Sequence, residues 1–256
     1  MDTIALVIEQ GILTDCEGKH VHGAPEHITV PGGVAGIGEA ALQGSRRVKS
    51  LVIPGSVRSI GDLAFECCDR LEFVVMLEGV RAIGDSAFAG CDHMTALAIP
   101  GSVQSMGEGA FSGCSGLASV TLPEGIPQIS NSLFSNCTGV KFIVIPNSVN
   151  TIGDEAFSYC NRLEFVMLPE GVAAIGKEAF SECESLTSVT LPGSVVFVGE
   201  GAFSCCTGLK SVVIPNGSAF IGAGAFDGCD ELTIHAPAGS YAEGYARANG
   251  IAFAAI

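Results

Sequence analysis

The chain has 256 residues, 48% of them hydrophobic and only 15% charged, which is enough apolar material for a large core and excludes a disordered segment. Its formal net charge of −15 leaves no basic footprint for nucleic acid and would be repelled by an anionic membrane surface. No apolar run approaches the roughly 18 residues that span a bilayer, so no membrane insertion is expected.

In chain order, Met1, Asp2 and Thr3 bring no basic residue, and the apolar run 4–8 is stopped by Glu9, too short for the core of a secretory leader. The sequence therefore reads as cytoplasmic, or as a mature chain whose leader has been removed. Cys16, His20, His22 and His27 follow close together, with Glu26 among them. Their side-chain types suit zinc or nickel, but the spacing C-x3-H-x-H-x4-H fits no established site, and a solvated loop is the simpler reading. No other cofactor is expected.

Beyond this loop the chain repeats. Proline stands at 31, 54, 100, 123, 146, 169, 192 and 215, every step 23 residues except where Leu77 takes its place. Phenylalanine (65, 88, 111, 134, 157, 180, 203, 226) and cysteine (68, 91, 114, 137, 160, 183, 206, 229) keep the same step. Within one unit, Val189 and Leu191 alternate with Ser188 and Thr190, which predicts a short strand with one buried face, ended by Pro192. The following Gly-Asp or Gly-Glu pair, as at Gly61-Asp62, predicts a turn and the start of a short helix, the acid accepting orphan N–H groups. A single unit cannot bury its apolar face, so the units must stack into one core and one parallel sheet. The eight periodic cysteines should form a ladder of buried thiols with weak S–H bonds to turn carbonyls, since parallel stacking suits disulfides poorly. Cys67 and Cys205, six repeats apart, are expected to be partly exposed and too distant to pair.

The pattern L-x-x-V-x-[IL]-P-x-x-V-x-x-I-G-x-x-A-F-x-x-C, carried here by Leu163, Val166, Leu168, Pro169, Val172, Ile175, Gly176, Ala179, Phe180 and Cys183, resembles the BspA-like, or Treponema pallidum-type, leucine-rich repeat. The match covers almost the whole chain. It implies an α/β solenoid of 23-residue units, with a parallel sheet on one face, short helices and turns on the other, and a cap at each end. On this reading residues 1–27 form a cap hairpin and loop, 28–233 about nine repeats, and 234–256 a C-terminal cap. Residues 7–14 look like the family's opening hairpin. Ser240 and Glu243 have capping-box spacing, predicting a helix to about Ala248 that is ended by Asn249-Gly250. With both caps present, the domain reads as complete. The resemblance also implies surface or adhesion-type protein binding, with host extracellular proteins as partners, and brings no catalytic residues.

The outward sheet residues follow from the period. Half are serine, threonine or alanine, but Phe142, Val144, Phe165 and Met167 fall on adjacent strands, and Phe73 and Val75 lie three strands away, roughly 14 Å. These six are the candidate partner-binding residues, because apolar patches on folded domains mark interaction sites; simple β-propensity is the plainer explanation. Phe197 and Phe220 are explained by packing on Tyr241 or Tyr245. The departures Leu42, Ser45, Pro127, Ser130-Asn131 and Ser218 predict local distortion. No nucleophile–base pair or phosphate loop stands out, so an enzyme is not expected, and the absence of tryptophan makes glycan binding a poor reading. A scaffold or coat component that associates with itself is the alternative to a specific binder.

Overall fold

The computed structural model describes residues 6–16, 26–217 and 219–256. The chain winds as a β-solenoid whose coils, counted from the strand His27–Thr29, begin 23 residues apart, except that the tenth begins 22 after the ninth. Nine coils carry two strands, and the tenth carries Thr233–Ala236 followed by the helix Tyr241–Ala248. Strands of successive coils pair in parallel at equal register, as in Ser188↔Ser211, Val189↔Val212 and Thr190↔Val213. The inward residue of the first strand, such as Ile143 or Val212, is buried in every coil but the fifth, where Val120 is half-buried, while its neighbours point away from the core.

The core is a set of columns in which each residue type rests on its own copy. Phe65, Phe88, Phe111, Phe134, Phe157, Phe180, Phe203 and Phe226 stack with centroids 4.9–5.7 Å apart and ring planes within 5–14°. The cysteine column lies beside it. Cys91 donates to the Phe65 carbonyl at 3.3 Å, and its successors repeat the bond to the phenylalanine 26 residues earlier at 3.0–3.3 Å. Among the described residues no disulfide forms. Burial pushes the Cys160 thiol up to about 12.

Two features differ from the expectation. First, the short helix after the Gly-Asp pair is a run of turns. Each turn contains two left-handed residues four apart, such as Leu63 (φ 58) with Cys67 (φ 53), or Glu155 (φ 55) with Tyr159 (φ 58), which an α-helix cannot hold. Their N–H groups bond forward to the next coil: Leu63 to Asp85 O, Phe65 to Ala87 O and Cys67 to Ala89 O, at 2.7–2.9 Å. The acid likewise serves the next coil and not a helix end, since Asp62 Oδ1 accepts from Asp85 N and Asp85 Oδ1 from Glu108 N, both at 2.8 Å.

Second, there are two parallel sheets where one was expected. The extra sheet is built from two-residue strands such as Ser59–Ile60 and Ala174–Ile175. It is possible because the glycine after each isoleucine brings adjacent backbones very close. At Gly61, Gly84, Gly107, Gly153, Gly176, Gly199 and Gly222, an added Cβ would lie 2.4–2.7 Å from backbone atoms of the preceding coil. The glycine N–H donates back across that approach, as from Gly176 to Ile152 O at 2.8 Å.

Both ends of the core are covered. The antiparallel hairpin Leu6–Glu9 and Ile12–Cys16 turns on Gln10 (φ 51) and Gly11 (φ 79), and it pairs with Gly36–Ile37. At the other end Ser240 Oγ accepts from Glu243 N at 3.3 Å, the Glu243 carboxylate accepts from Gly239 N, and Ala242 and Ala246 seal the core. The strand Ala252–Ala255 then extends the first sheet beyond Thr233–Ala236.

Two substitutions test this packing by chemical denaturation. Phe134→Ala empties a fully enclosed site and should cost about 3–5 kcal/mol. Gly176→Ala should cost more than about 2 kcal/mol although it adds a single methyl group, because the obstacle is backbone. A loss under half a kilocalorie for Gly176→Ala would mean that the coils are not in close contact there.

Candidate functional site

The first sheet presents the candidate residues outward. Phe142 is 57% exposed, Val144 58%, Phe165 44% and Met167 50%. They face one another across a paired ladder, Phe142↔Phe165 and Val144↔Met167, so the four side chains form one apolar plateau. Beside it, Lys141 Nζ and Glu164 Oε1 pair at 3.4 Å, both side chains about half exposed, a surface contact of small energetic weight. The neighbouring strands carry Ser119 and Thr121 on one side and Ser188 and Thr190 on the other, so the plateau has a polar border. Phe73 and Val75 are also exposed, three coils away, with Leu77 next to them. Leu77 is exposed where other coils place a proline, and its N–H donates to Ile53 O at 2.9 Å, a bond proline cannot make.

The first sheet is not continuous. Its ladders run His27–Thr29 to Phe73–Met76, then Ala96–Ala98 with Ser119–Thr121, then Phe142–Val144 with Phe165–Met167, then Ser188–Thr190 to the end. The apolar plateau is thus a two-stranded island with a ladder break on each side. Core residues before the breaks are less well covered than their counterparts: Val74 and Met76, then Val120 and Leu122, then Val166 and Leu168. At the last break a cleft of about 230 Å3 opens between Phe165, Met167, Leu168 and Glu170 on one side and Ser188, Thr190 and Pro192 on the other. Sequence reasoning missed this cleft; the feature shared by the three breaks, a Glu-Gly turn at Glu78-Gly79, Glu124-Gly125 and Glu170-Gly171, lies just outside the strands.

The remaining candidates are not brought together. Cys16 is buried, and exposed His27 shares a hydrogen bond of 2.8 Å between Nδ1 and Ser50 Oγ. His20 and His22 lie outside the described residues. Among the described residues, no three His, Cys, Asp or Glu side chains converge as metal ligands. Phe197 and Phe220 stack at 5.6 Å, and Phe220 stacks on Tyr241 at 6.1 Å. Tyr245 instead meets Phe226 edge-on. All three rings of the Phe197–Phe220–Tyr241 row stay 42–50% exposed, so packing on the cap helix covers them incompletely.

Cys67 is exposed and Cys205 half-buried. Partial burial, with Glu66, Asp69 and Asp92 near Cys67 and Glu182 near Cys205, raises both thiols above the ordinary range.

The family model for the BspA type leucine rich repeat region matches in six copies, over residues 24–141 and 129–241. A leucine-rich repeat protein from Bacteroides ovatus is 29% identical, with 91% of this chain and 69% of that one covered and a TM-score of 0.70. The leucine-rich repeat protein of T. pallidum is 24% identical over 98% of this chain and 94% of that one, with a TM-score of 0.52. A leucine-rich cell surface protein from Faecalibacterium prausnitzii is 21% identical over 94% and 85%, with a TM-score of 0.50. No curated protein matches the chain. Among the described residues, no helix is long and apolar enough to cross a membrane.

Thiol titration checks the exposure pattern. In the native protein, Cys67 and Cys205 should react with a disulfide reagent and the buried thiols only after unfolding. Because both reactive thiols are shifted upward, their rate should climb as pH rises through the ordinary thiol range. A third fast thiol in the folded protein would place part of the cysteine column in solvent.

Proposed function

Because the chain belongs to the BspA-type leucine-rich repeat family, we propose that it is a protein-binding module that works through the first-sheet face. The observation that carries this reading is the island of Phe142, Val144, Phe165 and Met167, four exposed apolar side chains in register on a face otherwise mostly serine, threonine and alanine. Leaving them in water costs free energy, roughly 1.5–3 kcal/mol for each large side chain that a partner would fully bury. The adjoining cleft adds concave shape, and Glu170 at its edge has no hydrogen-bond or ion-pair partner among the described residues. A partner with an apolar segment beside a basic group fits this combination. Phe73 and Val75 extend the same face towards the N-terminal end. In a surface or adhesion role the partner is an extracellular protein, and in a scaffold role it is a second copy.

A catalytic role is not part of this proposal. Asp62, Asp85 and Asp154 each hold the N–H of the next coil, which occupies them structurally.

The double substitution Phe142→Ser with Phe165→Ser should leave the far-ultraviolet spectrum and thermal midpoint close to those of the parent, since neither ring contributes to the core. Capture of partners from an extracellular protein panel, or concentration-dependent assembly by light scattering, should fall at least about tenfold, the equivalent of 1.4 kcal/mol. Binding and assembly equal to the parent would remove the plateau from the account.

A further inference from the structure

In the second sheet, one interface among the described residues is built differently from the others. Between most neighbouring coils the second sheet runs unbroken, from the cap hairpin to Ser105–Met106 and again from Gln128–Ile129 to Phe220–Ile221. Between those two runs, from the fourth coil to the fifth, it stops.

Two residues account for the stop. The residue ahead of each second strand donates its N–H to the equivalent carbonyl of the coil before: Arg81 to Arg58 O, Gln104 to Arg81 O, Asn150 to Pro127 O and Ala173 to Asn150 O, at 2.8–2.9 Å. In the fifth coil that residue is Pro127, which has no N–H, so the Gln104 carbonyl lacks this donor. Two residues beyond the strand start stands Ser130, at the position that the other coils reserve for glycine because a Cβ would collide with the backbone behind it. At the preceding glycine, Gly107, that collision distance is 2.4 Å. Ser130 carries a Cβ, and the coils part. The N–H bond from this position to the coil before is replaced by Ser130 Oγ donating to Met106 O at 2.5 Å. A small gap lined by Gln104, Met106, Pro127 and Ser130 remains. The same interface keeps its other links: Ala96–Ala98 pairs with Ser119–Thr121 in the first sheet, and Gly109 and Gly113 donate forward to Asn131 O and Ser135 O on the turn side.

We infer that Pro127 and Ser130 make this interface a joint, about which the first four coils and the remaining six rotate while the first-sheet pair Ala96–Ala98 and Ser119–Thr121 holds them together. On each side of the joint, at the next interface, the second sheet is intact and the first sheet is the one that is broken. The links that resist bending therefore alternate through this region, and the two ends of the solenoid lack such a pattern. The position of the joint matters for the binding face. Phe73 and Val75 lie on the third coil, before it, and Phe142, Val144, Phe165 and Met167 lie on the sixth and seventh, after it. Rotation changes the angle between the two apolar patches, so that one surface can fit partners of different curvature. This use rests on the binding role proposed above; the mechanical claim does not, and its test involves no partner.

The native thiols Cys67 and Cys205, in the second and eighth coils, flank the joint and accept spin labels. Their separation is read by pulsed dipolar spectroscopy in the parent and in Pro127→Asn with Ser130→Gly, which restores both the missing donor and the glycine. The parent should give a broad distance distribution, and the variant one about twofold narrower. If the double variant folds poorly, Ser130→Gly alone is measured in the same way and should narrow the distribution in part. Equal widths in parent and variant would overturn the joint, whatever the protein binds.

Discussion

Everything in this molecule depends on the fact that a coil cannot satisfy its own backbone. Strand amides bond to the coil on either side, and turn amides bond to the next coil in place of a local helix. The asparagine and aspartate side chains at the turns reach across as well. Burial works the same way, since each phenylalanine of the core column rests on its own copy 23 residues away. Stability is therefore a property of interfaces between coils, as expected for a chain whose repeats touch only their neighbours. The outward residues of the first sheet take little part in it, which leaves them free to vary for recognition.

Much of this was legible in the sequence because the period itself is physical. Proline, phenylalanine and cysteine at a step of 23 fix the stacking, and alternation within Ser188–Thr190 fixes which side chains leave the core. The exposure of Phe142 and Phe165 follows directly from that alternation. The turns read in sequence as a turn leading into a short helix for an identifiable reason. A Gly-Asp pair before an apolar run is a good helix start in isolation, but here Asp62 and its equivalents serve the neighbouring coil, and left-handed residues such as Glu155 and Tyr159 are not visible in their residue types. The second sheet was missed because two-residue strands are too short to show a period.

The departures from the repeat turned out to be informative in different ways. Leu77 adds a backbone bond and stays exposed. Pro127 and Ser130 each remove one ordinary link, and they fall together at the single interruption of the second sheet among the described residues. Each break in the first sheet follows a coil that leaves its strand through a Glu-Gly turn, at Glu78-Gly79, Glu124-Gly125 and Glu170-Gly171, and no coil with an unbroken ladder carries glutamate there. Those breaks shape the binding face, since they isolate the apolar plateau and open the cleft beside Glu170.

The turn amides are held by the adjacent coil. Residue-resolved hydrogen exchange tests this at Phe65, Phe88, Phe157 and Phe180, whose N–H groups donate to Ala87, Ala110, Ala179 and Ala202 at 2.7–2.8 Å. These turn amides should be protected as strongly as those of the buried strand residues Val189 and Val212, because both are released only when coils separate. Turn amides that exchange orders of magnitude faster than the strand amides would contradict it.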